Sequence, residues 1–279
     1  MRFAAVLAVV VVLVGAGAGF AYERDFVFTP GAKGALGRAT TVHVYNWTTD
    51  LLGDADVKGL VLDLDSEASF GSRNRLGLAV SHGISKDNNL MLSYNSFDHS
   101  GRIRKQVTFD NRTYRSGAAM KVQNSWFDLA WSHNFTRWDT PTDRGRNRLG
   151  GYFDGLIGIK VNDASLDVAG YDPVTAAYNS GSWSEKFPIP YLGIGGGNQI
   201  SKNFWVMGHF KFLAANVGGG SVKSYDFDLN AALQLNPGST DSEWFAVLGF
   251  RTFHINGDSG SDDLTVGYRG PTFGLTGRF

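Results

Sequence analysis

The sequence predicts an all-β fold, a transmembrane antiparallel up-and-down β-barrel of 10 or 12 strands, the even count expected of such barrels in a single bacterial chain. Three observations carry this. Apolar and polar residues alternate with period two over stretches longer than the five or six residues usual in soluble sheets. Short turns alternate with longer loops along the chain. Beyond the N-terminal leader, no stretch is apolar enough to cross a bilayer as a helix, so a spanning chain must use closed strands.

The leader comes first. Arg2 supplies a short positive start, Ala4 to Val14 an unbroken apolar core, and Gly15 to Gly19 a run of small residues, the pattern of a secretory signal peptide. Cleavage after Ala18 or after Ala21 satisfies the small-residue rule, and Ala21 is preferred. That choice divides the chain into a signal peptide over 1–21, a periplasmic or plug segment over 22–38 and a barrel over 39–279.

Composition narrows the function classes. Twenty-six Lys and Arg balance 26 Asp and Glu, so no overall field recruits nucleic acid. Cysteine is absent, which removes disulfides, thiolate nucleophiles and the commonest zinc sites. The six His show no metal-ligand spacing, and no metal or cofactor is expected.

The strands follow from periodicity. Lys223, Tyr225, Phe227, Leu229, Ala231, Leu233 and Leu235 share one face; Val222, Ser224, Asp226, Asp228, Asn230, Ala232 and Gln234 share the other. Phe127, Leu129, Trp131 and Phe135 oppose Trp126, Asp128, Ala130, Ser132 and Asn134 in the same way. Phe204, Val206, Phe210 and Phe212 oppose Trp205, Met207, His209 and Lys211. The pattern predicts strands near 57–67, 74–84, 89–108, 113–136, 148–162, 185–198, 203–215, 221–235, 242–256 and 263–279, with a further strand plausible at Thr40 to Thr49. Short turns are expected at Ser85 to Asn89, Ile200 to Asn203 and Asn236 to Asp241. Longer loops are expected at Gly101 to Ser116, Asn162 to Glu185, Asn216 to Gly220 and Asn256 to Asp262, and Arg137 to Asn147 breaks the alternation. Trp47, Tyr94, Trp126, Trp131, Tyr152, Tyr191, Trp205 and Trp244 are expected to form interfacial girdles.

The closing strand ends at Phe279, with Phe273 and Leu275 in one parity and Leu264, Val266 and Tyr268 in the other, so a bulge is expected at Gly270 and Pro271. The tail GPTFGLTGRF resembles that of bacterial outer-membrane proteins, although Gly277 stands where an aromatic is commoner. RLGLAVSHGISKDNNLMLSYNSFDHSG and YRGPTFGLTGRF are similar to a group of uncharacterised proteobacterial outer-membrane β-barrel proteins, small and porin-like. The resemblance implies location in the cell outer membrane of a Gram-negative bacterium. It also implies contact with outer-membrane lipid and lipopolysaccharide, and Phe279 as a signal for the barrel-assembly machinery. A monomer is expected, and no activity comes with the resemblance.

The inward face is predicted to collect Asp128, Asp154, Lys160, His209, Lys211, Asp226, Asp228, Arg251 and Arg269. Their mixed signs argue against strong ion selectivity and fit a salt-bridged interior equally well. A small porin-like diffusion channel is the leading expectation. The alternatives are a non-conducting structural or surface-interaction barrel and, less favoured, a lipid-modifying or proteolytic barrel enzyme. Catalysis is not expected: Ser132 with His133, Ser96 with Asp98 and His99, and His254 near Asp258 and Asp262 match no catalytic signature and read as ordinary strand and loop residues. An open lumen would favour the channel, and a plugged one the non-conducting barrel.

Overall fold

The computed structural model describes residues 40–85, 87–141, 148–201, 203–217, 220–237, 242–258 and 262–279; the expected leader and the 22–38 segment lie outside them. Among the described residues the strands are β1 (Thr40–Val57), β2 (Leu60–Asp63), β3 (Arg73–Ser85), β4 (Asn88–Arg102), β5 (Val107–Phe109), β6 (Arg112–Tyr114) and β7 (Ala119–Pro141). They continue with β8 (Arg148–Tyr171), β9 (Tyr178–Ser201), β10 (Phe204–Val217), β11 (Gly220–Gln234), β12 (Glu243–Asp258) and β13 (Asp263–Arg278). Ten of these, β1, β3, β4 and β7 to β13, pair antiparallel in sequence order. β13 returns to β1, so the sheet closes into a barrel. No described helix is long and apolar enough to cross a membrane.

Period two holds along each wall. Phe127, Leu129 and Trp131 of β7, Leu192 and Ile194 of β9, Phe210 and Phe212 of β10 and Tyr225, Phe227 and Leu229 of β11 all point outward and are exposed. Together they form an apolar belt, the surface a lipid-embedded barrel presents. The predicted faces of β7, β10 and β11 fall on the predicted sides.

Several expectations are corrected. Thr40 to Thr49 begins the first barrel strand, whereas 57–67 leaves the wall: after β1 it turns at Gly59 and runs back as the short arm β2. The stretch 162–185 is mostly strand, because β8 and β9 stay paired to Tyr171 and Tyr178 and leave only a short outer turn. Only two residues separate Val217 of β10 from Gly220 of β11, so no long loop exists there. Arg137 to Pro141 belong to β7, so the Arg137 to Asn147 connection begins as strand, and its residues 142–147 lie outside those described. The closing strand has no bulge: its register with β12 is continuous through Gly270 and Pro271. Val266 and Tyr268 are apolar and inward-facing, whereas Phe273 and Leu275 are apolar and outward-facing, because the interior itself becomes apolar toward one end.

That end is capped. β2 and the β5–β6 hairpin fold over the mouth opposite Thr40 and Phe279, burying Leu60, Leu62, Phe109 and Tyr114 in one cluster with Leu166 and Val168 of β8. Burying these side chains supplies the hydrophobic free energy that orders the cap.

Candidate functional site

Eight of the nine predicted inward residues, Asp128, Asp154, Lys160, His209, Lys211, Asp226, Asp228 and Arg251, are buried inside the barrel. Arg269 is not among them: it points outward and is exposed, a correction that follows from the unbroken parity of β13. The ladder sets Asp128 opposite Lys160 and Lys211 opposite Asp226. The charges nevertheless exchange partners across the lumen. Lys211 Nζ donates to Asp128 at 2.7 Å, and Lys160 Nζ donates to Asp226 at 2.9 Å. Arg251 grips both oxygens of Asp226 from Nε and Nη2 and donates from Nη1 to the Tyr45 hydroxyl at 3.0 Å. Tyr45 in turn donates to Asn95, and Tyr191 donates to Asp128 at 2.5 Å. His209 lies 3.0 Å from Asp228, to which Asn230 also donates.

This arrangement has an energetic logic. A lone charge in a dry interior costs several kcal/mol, and the cost is recovered only with close, multiply bonded partners. Two carboxylates shared among three cations, each further bonded to a hydroxyl or lying over a ring, satisfy that condition. Lys160 sits 4.0 Å from the Phe253 ring centre, and the Arg251 guanidinium 4.9 Å from that of Trp47. Glycine makes room for two of the buried tyrosine rings, Tyr191 and Tyr152. A Cβ on Gly158 would lie 2.6 Å from the Tyr191 ring, and one on Gly197 2.7 Å from the Tyr152 ring.

Above the network lies an aromatic layer of Trp47, Phe97, Trp126, Phe253 and Tyr268, with Phe97 stacked on Tyr268 at 4.6 Å and Trp126 against Phe253 at 4.5 Å. Below it, Trp205, Met207, Ala232, Phe245 and Val247 form a further packed cluster. The expected girdle is corrected here: Trp47, Trp126, Tyr152, Tyr191 and Trp205 are buried inside, while Trp131 and Trp244 face outward. Large rings fill a narrow barrel as readily as they anchor an interface. Sequence alternation carried the inward charges; the ring positions needed the barrel diameter.

The candidate catalytic sets are not assembled. Ser132 faces inward and accepts from Asn89, while its neighbour His133 faces the other way and stacks on Trp131. His99 is buried against Thr49, apart from the outward-facing Ser96 and Asp98. His254 stacks on Tyr225 at 5.0 Å. Among the described residues no group of three or more His, Asp or Glu is placed to hold a metal ion.

Between the aromatic layer and the cap is a cavity of about 110 Å³, open toward the capped mouth and walled mainly by Val122, Leu166, Trp183, Phe187, Val222 and Leu264. Asn124, Asn162 and Tyr268 also reach it. Both amide atoms of Asn162, which is buried, have no hydrogen-bond partner.

No family model and no curated protein matches the chain. Among solved structures, the outer membrane protease OmpT from Escherichia coli is similar over 86% of this chain and 97% of its own, with a TM-score of 0.52 and 10% identity. The outer membrane protein AlkL (88% and 94% covered, 10% identity, TM-score 0.31) and the CymD monoaromatic hydrocarbon channel (86% and 88% covered, 12% identity, TM-score 0.28) also match. The likeness to OmpT is one of fold: a closed antiparallel barrel of the outer-membrane kind.

Proposed function

We propose that this protein is an outer-membrane barrel that does not conduct along its axis and acts from its capped, outward end as a structural or surface-interaction barrel. The observation that carries this is the lumen itself, crossed by the Asp128–Lys211 and Lys160–Asp226–Arg251 bridges with an aromatic layer stacked above them. The apolar belt supports contact with lipid, and the two long connections at the capped end, from β1 to β3 and from β4 to β7, support an outward position for that end and a periplasmic one for the opposite end. Catalysis forms no part of the proposal.

The test is single-channel recording of the refolded mature protein in a planar bilayer, with folding established by heat-modifiable gel migration. A silent bilayer is expected. Discrete conductance steps would overturn the proposal and restore the small diffusion channel.

A further inference from the structure

The wall of the barrel is not paired along its whole height. β9 and β10 are joined from Phe204 and Ser201 up to Phe212 and Leu192, and there the ladder stops. Above that point β9 runs on to Tyr178 with β8 as its partner, and β10 runs on to Val217 paired to β11. Above it no ladder pair joins β9 to β10, and Leu213 packs inward against the core there.

The sequence explains the break. Pro188 and Pro190 stand two residues apart, so the two missing N–H donors fall on the same edge of β9. Ser180 and Ser182 share that parity, and their carbonyls accept from Arg112 and from Lys58 of the cap rather than from a strand. The even-numbered edge is therefore the one turned away from β8, stitched to the cap above and without strand donors at the prolines. β3 and β4 also part above Leu78 and Tyr94, but there Arg75 reaches across to the Asp98 carbonyl at 2.6 Å. The prolines make the β9 edge a poor template for an added strand.

The unpaired stretch stands beside the vestibule cavity, which Trp183 and Phe187 of β9 and Val222 of β11 help to wall. The break begins at Leu192 and Phe212, where the outward apolar belt ends. The cavity is of the order of the 150 Å³ apolar cavity that admits a benzene ring. It is not purely apolar: Asn162 offers two unpartnered amide atoms at its base. A buried amide without a partner is unfavourable, and a ligand hydroxyl or carbonyl would relieve it.

We infer that the vestibule binds small apolar molecules, a single ring or short chain carrying one hydrogen-bonding head, and releases them sideways between β9 and β10 into the lipid. This rests on the closed axis proposed above, since a ligand that cannot pass downward leaves only upward or sideways.

Binding is measured on the full mature protein in detergent by quenching of Trp183 emission, isolated by difference from the Trp183→Phe protein. The probes are 4-bromobenzyl alcohol and its headless counterpart bromobenzene. Saturable quenching is expected, with the alcohol effective at several-fold lower concentration; Asn162→Leu should erase that preference, and Ala164→Phe should block both probes by filling the cavity. Quenching that does not saturate overturns the site. Equal affinities in the unaltered protein overturn the hydrogen-bonding head. For the side exit, Pro188→Val with Pro190→Val restores the donors and should slow release of the alcohol several-fold in vesicles, read by stopped-flow recovery of Trp183. If that variant does not refold, Ala214→Phe beside the unpaired stretch replaces it. An unchanged release rate overturns the lateral route. Conductance steps would defeat the closed-axis proposal whatever the probes do, whereas a silent bilayer with unresponsive Trp183 defeats this inference alone.

Discussion

Lys160 stands directly opposite Asp128 in the β7–β8 ladder, yet its ammonium donates to Asp226 on β11, three strands further round the barrel. Asp128 is bonded instead by Lys211 of β10. The exchange turns what would be two local cross-strand pairs into two struts across the lumen, tying the β7–β8 wall to the β10–β11 wall.

Asp226 is the residue on which two cations converge, so its loss should cost more than the loss of either. Asp226→Ala strands Lys160 and Arg251 in a dry interior and is expected to destabilise by about 3–5 kcal/mol. Lys160→Met leaves Asp226 gripped by Arg251 and should cost markedly less. Urea unfolding of vesicle-reconstituted protein, followed by tryptophan emission, ranks the two; equal costs would show that Arg251 alone does not satisfy Asp226.

The belt makes a depth-dependent prediction. Leu229, 49% exposed, lies in mid-belt, and Leu229→Arg should destabilise by about 2–4 kcal/mol in a bilayer. Val174, 90% exposed on the β8–β9 turn, should accept Arg at no measurable cost. The same unfolding assay decides, and equal effects would mean that the belt does not meet lipid.

Closure is vulnerable at Gly270. A Cβ there would lie 1.9 Å from the Thr48 carbonyl oxygen, so Gly270→Ala must push β1 and β13 apart. Overpacking of this kind costs about 1–3 kcal/mol. The variant should lose its heat-modifiable gel shift at a lower temperature than the unaltered protein, with the fraction of shifted band against temperature as the readout.

The outer turn should loosen in acid. Backbone amides of Thr175 and Val174 donate to Asp172 at 2.7 and 2.8 Å and hold its carboxyl below the usual 3.8. A carboxylate whose pKa is depressed on folding contributes order above its unfolded pKa and loses it as pH falls through the folded one. Amide exchange at Val174 and Thr175 should therefore accelerate, relative to its intrinsic rate, as pH drops below the ordinary carboxylate range. Asp172→Asn should flatten that dependence.

Much of this was legible in advance, for a physical reason. Alternation in β7, β10 and β11 assigned inward and outward faces because each residue's side is set by strand geometry alone. Asp128, Lys211 and Asp226 could thus be placed inside without knowing their partners. Three things were hidden. Val57 to Glu67 alternates like a wall strand, but its apolar residues serve the cap, which only tertiary packing reveals. Trp47 and Trp126 look like interfacial anchors until the barrel is known to be narrow enough to need them as filling. The switch of apolar parity in β13 mimics a bulge because a sequence does not report that a lumen is polar at one height and aromatic at another. Pro188 and Pro190 were the one local sign of the broken β9–β10 seam.

The pairing of β1 with β13 sets when this molecule can exist as a barrel at all. His43 bonds Thr276, 233 residues along the chain, and Thr40 exchanges backbone bonds with Phe279. A chain halted before its last strand is an open ribbon with two bare margins, each able to recruit a neighbour. β13 thus serves as a latch, and until it docks every earlier strand must be kept from the wrong company.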